Sequence, residues 1–226
     1  FTLVHDLLVE PPAGIAEPGR IVRLNPGDDG GIGASTYPDY EHYRDNARAF
    51  SELFAYDAAT TVQLRNASTL TDADGGFVTG NFFAGLGVRP RAGRLLNRAD
   101  DSEQAENAAV ISMTLEQRLF AGTRPPLGES ITINGHAFTI VGVAPAEFRG
   151  AAHNDPPIDL WLPMWKRPLV TGRPRLDMVR TPGYIHAYLT TMGRLAPGVS
   201  LERAQANVST MGVQVARFYS DGSSAR

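Results

Sequence analysis

The sequence predicts an α+β fold arranged as two lobes, and three observations point there. A strand–helix–strand order opens the chain, a hairpin-rich block interrupts it, and a strand followed by a helix closes it. Glycines and prolines, 23 and 16 in number, punctuate short apolar runs throughout. Asn134-Gly135, flanked by Ser130–Ile133 and His136–Val143, is a two-residue hairpin signal, because both turn positions need positive φ. On this reading residues 1–87 and 169–226 build one lobe, and residues 88–168 form an inserted strand-rich lobe.

The elements follow in order. An apolar start leads into a Pro/Gly-rich connector over 10–19 and a short strand over 20–25. The glycine-rich stretch 27–33 lacks a Gly-Lys-Ser/Thr ending and is no phosphate loop. Ser35-Thr36-Tyr37-Pro38-Asp39 starts a helix with a hydroxyl cap, an early proline and an acid in the first turn. Tyr40, Tyr43, Ala47, Phe50 and Phe54 recur at spacings of three and four, predicting that one helical face carries all five. Residues 60–64 and 76–79 read as strands separated by a polar turn. Asn81-Phe82-Phe83, with Leu86 and Val88, forms a short helical turn whose aromatics plug a core.

Residues 89–101 read as a charged surface loop, and the acids Asp100, Asp101, Glu103 and Glu106 as solvated. Their spacing lacks the alternation and central glycine of a calcium loop. Ala108–Ile111 is a buried strand, and Ser112 caps a short helix carrying Leu115, Leu119 and Phe120. Residues 122–128 break that helix before the hairpin. Residues 158–163 form another strand, and 166–183 a polar, mobile connection. A strand over 184–195 precedes the last helix, capped by Ser200, whose buried face holds Leu201, Ala204, Val208, Met211, Val215 and Phe218.

Composition excludes more function classes than it suggests. A net charge of −3 gives no global footprint for nucleic acid or anionic lipid. Lys166 is the only lysine, and no cysteine is present, which removes disulfides, thiol catalysis and cysteine zinc sites. No apolar run is long enough to span a bilayer, and no signal-peptide pattern opens the chain. The abrupt ends read as cuts within a longer polypeptide.

The five histidines, His5, His42, His136, His153 and His186, show no zinc-ligand spacing. No nucleophile elbow is present, no carboxylate pair is singled out, and Gly80, Gly87 and Gly93 do not make a dinucleotide fingerprint. The sequence therefore nominates no catalytic residue, no metal ligand and no cofactor.

Four ordered blocks carry a family resemblance. Val-Thr-Gly-Asn-Phe-Phe-Ala-Gly-Leu-Gly-Val-Arg-Pro-Arg-Ala-Gly-Arg (78–94) follows a helix opened by Ser-Thr-Tyr-Pro-Asp-Tyr. Ala-Val-Ile-Ser-x-x-Leu-x-x-Arg-Leu-Phe (109–120) comes next. Leu-Gly-Glu-Ser-Ile-Thr-Ile-Asn-Gly-His-Ala-Phe-Thr-Ile-Val-Gly-Val-Ala-Pro (127–145) and Asp-Leu-Trp-Leu-Pro (159–163) complete the order. Together they resemble the MacB-type periplasmic core domain of the FtsX/MacB-like permeases, the type VII ABC transporters. The opening Leu-Leu-Val-Glu-Pro-Pro resembles the large permeases with two such halves from soil bacteria.

The resemblance implies a porter-like lobe of β-α-β units on a mixed sheet, with an inserted strand-rich, sabre-like lobe. It implies an extracytoplasmic (periplasmic) domain set between transmembrane helices of the same polypeptide in the cytoplasmic membrane. It also implies a non-enzymatic role: coupling cytoplasmic ATP hydrolysis to conformational change and to adaptor or cargo contacts outside. The implied partners are those transmembrane helices, a second permease copy or half, and, indirectly, a cytoplasmic ATPase subunit. A strand expected after the last helix is missing or cut off, and 166–183 matches no family motif. The alternative reading is an extracytoplasmic module that binds a ligand or peptide between its lobes; a soluble hydrolase with a site gathered from distant residues is a third.

Overall fold

The computed structural model describes residues 2–4, 13–25, 34–67, 69–120, 124–151, 157–173 and 188–223, with backbone alone for 2–4, 58–59 and 216–223. The fold is mixed α+β, built on a ten-stranded sheet. The strands are β1 (Thr2–Val4), β2 (Ile21–Asn25), β3 (Phe50–Asn66), β4 (Thr69–Val78), β5 (Ala92–Gly93), β6 (Ala108–Ile111), β7 (Ser130–Ile133), β8 (His136–Val143), β9 (Leu160–Pro163) and β10 (Thr190–Leu195). The helices are α1 (Tyr37–Asn46), α2 (Phe82–Leu86), α3 (Met113–Phe120), α4 (Arg167–Thr171) and α5 (Leu201–Ser223).

β3 organises the molecule. Its first half pairs antiparallel with β10, which pairs with β2 and through it β1. Its second half pairs with β4 on one side and with β7 on the other. From β4 the pairing runs parallel to β9, then to β6, β8 and β7, and so back to β3. The outer half of β3 therefore belongs to a closed ring of strands, while its inner half belongs to an open antiparallel sheet. Closure leaves the ring no free edge and encloses a side-chain-filled interior. Val62, Leu64, Ile131, Ile133, Phe138 and Ile140, all buried, belong to one cluster there. The register between β3 and β4 shifts between Asp57 and Thr60, where the two halves meet.

Local chemistry explains the helix boundaries. Thr36 sits in extended conformation, and its hydroxyl accepts the Asp39 N–H at 3.2 Å. Contrary to the predicted five-residue face, α1 stops at Asn46, and Phe50 and Phe54 lie on β3. The spacing of three and four ran on into a strand by coincidence. That strand is covered on both faces, with Phe50 and Leu53 in one cluster and Phe54 and Tyr56 in another, so no alternation marked it. Ser112 caps α3 as expected, accepting the Leu115 N–H at 3.0 Å. The Asn134-Gly135 turn forms between β7 and β8 with φ of 45° and 88°. Tyr184 and His186 lie outside the described residues, as does the 27–33 loop; the strand predicted over 184–195 is observed from Thr190.

The last helix lays Ala204, Val208, Met211 and Val215 on Val22 and Leu24 of β2, and it lies against β1. The first and last described elements of the chain thus adjoin. The side chain of Phe218 is outside the described set. No helix among the described residues is long and apolar enough to cross a membrane.

One glycine on β8 is fixed by close approach. A Cβ on Gly142 would lie 1.9 Å from the Arg94 carbonyl oxygen, against backbone that cannot swing away. Gly142→Ala is expected to destabilise the chain by about 1–3 kcal/mol through overpacking. Urea unfolding measures it; a loss within ~0.5 kcal/mol would show that the β5 and β8 backbones are free to separate.

Candidate functional site

A polar cleft opens where α1, the Thr79–Asn81 turn, the 98–101 loop and the end of β9 converge. Its volume is about 150 Å³, and Tyr37, Tyr40, Arg44, Arg98, Asp101 and Trp165 are among its lining residues. Gly80 admits the loop: a Cβ there would stand 2.6 Å from the Asn97 carbonyl oxygen and 2.7 Å from Arg98 Cα. Behind it, Thr79 donates to Asn81 Oδ1 at 3.1 Å, and Tyr40 donates to the same oxygen at 3.3 Å. Asn81 Nδ2 donates at 2.7 Å to both Glu52 and the Leu53 carbonyl. That network fixes the cleft wall to β3.

Asp101 ties the surrounding loops together. One carboxylate oxygen accepts the Gly80 N–H at 2.8 Å, and the other accepts the Trp165 N–H at 3.0 Å. Burial pushes its carboxyl up to about 6, against the opposing pull of the Trp165 and Gly80 amides and the Arg44 charge. Asp100 faces Arg94 in a two-pronged pair at 2.7 and 2.8 Å and accepts the Asn97 N–H at 2.8 Å. The expectation that these two acids are solvated is therefore wrong. They point inward, because distant backbone amides and Arg94 satisfy them.

The sign of the Asp101 shift sets a pH dependence. With a folded value of about 6 above an ordinary 3.8, the folded chain holds the proton more tightly than the unfolded one. The ionised form therefore weakens the fold above about pH 6, and this penalty is relieved as pH falls toward 4. Relative to Asp101→Asn, wild-type stability is expected to rise by up to about 3 kcal/mol between pH 7 and pH 4. Denaturant titrations across that range read the difference, and a flat difference would contradict the shift.

Residues 166–171 also depart from the sequence reading. Lys166 and Arg167 are buried rather than set in a polar connection, and α4 begins there. The Lys166 ammonium donates to the Ala105 and Glu103 carbonyls at 2.5 and 3.1 Å. Arg167 Nε meets Asp57 Oδ2 at 2.6 Å, and its guanidinium lies 3.9 Å from the centre of the Tyr188 ring. A second cleft of about 390 Å³ adjoins, with Trp165, Lys166 and Leu169 among its lining residues.

The other sequence candidates do not assemble. His42 lies on α1 and His136 on β8; His5, His153 and His186 are outside the described residues. Among the described residues no three His, Asp or Glu side chains gather as a metal site. Gly80 serves the cleft by close approach, whereas Gly87 ends α2 at a φ of 69° and Gly93 lies on β5 at a φ of 67°, where a Cβ would stand 2.4 Å from the Val141 carbonyl oxygen.

Comparison with known proteins accounts for this architecture. The periplasmic region of MacB from Actinobacillus actinomycetemcomitans superposes with a TM-score of 0.63 at 14% identity, over 94% of this chain and 89% of that one. The extracellular domain of the noncanonic ABC-type transporter YknZ from Gram-positive bacteria gives 0.57 at 14% identity, over 91% of this chain and 96% of its own. At such identities the likeness establishes fold alone. In sequence, the macrolide export ATP-binding/permease protein MacB of Sodalis glossinidius is 27% identical over 146 residues, 57% of this chain. The match takes in only 22% of that protein's length. A sequence profile, the MacB-like periplasmic core domain, matches residues 1–211, from the first strand well into the last helix. Over that span the four ordered blocks, the mixed sheet and the profile coincide, and the chain belongs to the MacB-like periplasmic core domain family.

Proposed function

We propose that the chain is the extracytoplasmic part of an ABC transporter permease in a bacterial cytoplasmic membrane, and that it works as a lever. ATP-driven motion on the cytoplasmic side passes through the membrane helices of the same polypeptide into this domain. There it alters contacts with a second permease copy or half and with adaptor or cargo. Residues 1–87 with 169–226, and residues 88–168, are the two lobes of the lever, with the outer half of β3 and β4 reaching from the first into the ring that β6–β9 complete. No residue in it is catalytic and none holds a cofactor, the hydrolysis of ATP belonging to a separate ATPase.

The observation that carries this reading is the adjacency of β1 and α5. Adjacent first and last elements suit a domain set between membrane helices of one polypeptide. Displacement of either end then feeds straight into the open half of the sheet, and β3 carries it without interruption into the closed ring. Rigid elements transmit such displacement with little loss.

Residues 1–226 contain no cysteine. Leu70 is 57% exposed near the β3–β4 turn, so Leu70→Cys in the complete membrane protein, with any cysteine outside this domain replaced, provides a single reporter. A membrane-impermeant maleimide is expected to label it in intact cells, and labelling only after permeabilisation would refute the placement. Spin labels at the same position are expected to change their inter-copy distance when ATP is added to the assembled transporter. An unchanged distance distribution would refute the lever.

A further inference from the structure

We propose that Asn134 is a self-modification site: its side-chain amide is lost to the Gly135 nitrogen when α4 lifts from the hairpin, and the acid left behind keeps α4 from docking again. This stands independently of the lever role.

The reactive pair lies at the exposed turn between β7 and β8. Asn134 is the only asparagine of the chain that glycine follows. Glycine leaves its own nitrogen unhindered, and a Cβ built on Gly135 would meet nothing within 4 Å. In the conversion the Gly135 amide nitrogen bonds to Asn134 Cγ and the Cγ–Nδ2 bond breaks. The Gly135 proton passes to the departing nitrogen, which leaves as ammonia. Water then opens the cyclic imide at either carbonyl. One opening gives aspartate; the other gives isoaspartate, whose main chain is longer by a methylene.

Three hydrogen bonds hold that chemistry in check. The Asn134 N–H donates to the Gln63 carbonyl at 2.9 Å, and Asn134 Oδ1 accepts the Gln63 N–H at 2.8 Å. Nδ2 donates to the Val170 carbonyl of α4 at 2.9 Å. Attack requires Cγ to swing over the Gly135 nitrogen, whereas these bonds hold the side chain against β3 and α4. The bond to Val170 is the one that releases first. Gln63 belongs to a 17-residue strand paired on both sides there, while α4 has five residues and carries Leu169, 40% exposed.

The product cannot restore that bond. The Val170 carbonyl lies in the last turn of α4, where carbonyls lack a partner within the helix and take one from outside. The Asn134 amide supplies that donor; an ionised carboxylate only accepts, and its charge repels the carbonyl oxygen. The amide therefore holds α4 and the acid refuses it.

The test follows the full chain by peptide mapping during incubation in neutral buffer, with a synthetic peptide of residues 128–139 as the unshielded reference. The folded chain is expected to convert roughly tenfold more slowly than the peptide, the shielding of one net hydrogen bond. Pro168→Gly loosens α4 through backbone entropy without touching Asn134, and is expected to speed conversion roughly threefold. Asn134→Asp is the product itself. In it the Gly172 amide, which donates to the Pro168 carbonyl, is expected to exchange with solvent roughly tenfold faster, while the Ile140 amide, paired with Glu129, exchanges as before. A folded chain that converts as fast as the peptide, or Pro168→Gly converting no faster than wild type, would overturn the gate at α4. Equal Gly172 exchange in wild type and Asn134→Asp would overturn the block on docking.

Discussion

Phe82→Ala is expected to lower the stability of the chain by about 3–5 kcal/mol. Phe82 opens α2 and is 1% exposed. Its ring stands edge-on to Phe83 at 5.2 Å, Tyr56 at 5.8 Å, Phe54 at 5.9 Å and Phe148 at 6.3 Å. Phe54 and Tyr56 belong to the open half of the sheet, whereas Phe148 packs against Trp161 of β9 in the ring. Removing the ring therefore leaves a cavity walled in part by Phe54 and Tyr56 on β3, a strand already paired on both sides that cannot collapse to fill it. Phe82→Leu keeps most of the volume and is expected to lose about 1.5 kcal/mol or less. Equilibrium urea unfolding, with the slope unchanged between variants, measures both. A loss below ~1 kcal/mol for Phe82→Ala would mean that α2 is not the plug between the two halves.

The plug was legible in the sequence; the arrangement around it was only partly so. Asn81-Phe82-Phe83 stood out because adjacent aromatics between glycines have few places to go except a core. The Asn134-Gly135 hairpin, the buried Ala108–Ile111 strand and the caps at Thr36 and Ser112 were readable for the same reason: each is decided by neighbours within a few residues. Val62 and Leu64 alternate with exposed Thr61 and Gln63, so the outer half of β3 announced itself. Its inner half did not, since burial on both faces erases alternation, and Phe50 and Phe54 joined the helical pattern instead. Closure of the ring through β7 depends on pairing Leu64 with Ile133, contacts remote in sequence that no local pattern encodes. The cleft was hidden likewise: nothing near Asp101 shows that the amides of Gly80 and Trp165 await it.

Lys166 and Arg167 were the residues most misjudged by local reading, and Arg167 carries the second large effect. Arg167→Met is expected to destabilise the chain by about 3–5 kcal/mol, because it removes the guanidinium that meets the largely buried Asp57 carboxylate. The two side chains are 5% and 16% exposed and meet at 2.6 Å across 110 positions of sequence. They join α4 to β3 at the register shift between Asp57 and Thr60, where the open sheet gives way to the ring. Tyr188, just ahead of β10, covers the guanidinium face at 3.9 Å, so three segments share one charge. Arg167→Lys keeps the charge but loses the planar stack and the fixed donor geometry, and an intermediate loss is expected. The decisive measurement is a double-mutant cycle in urea with Asp57→Asn. If the pair acts as a unit, Asp57→Asn/Arg167→Met is more stable than Arg167→Met alone, since the second change removes the carboxylate charge that Arg167 balanced. Additive losses would instead assign the effect of Arg167 to its packing on Tyr188, and the joint between the two halves of β3 would then rest on hydrophobic contact alone.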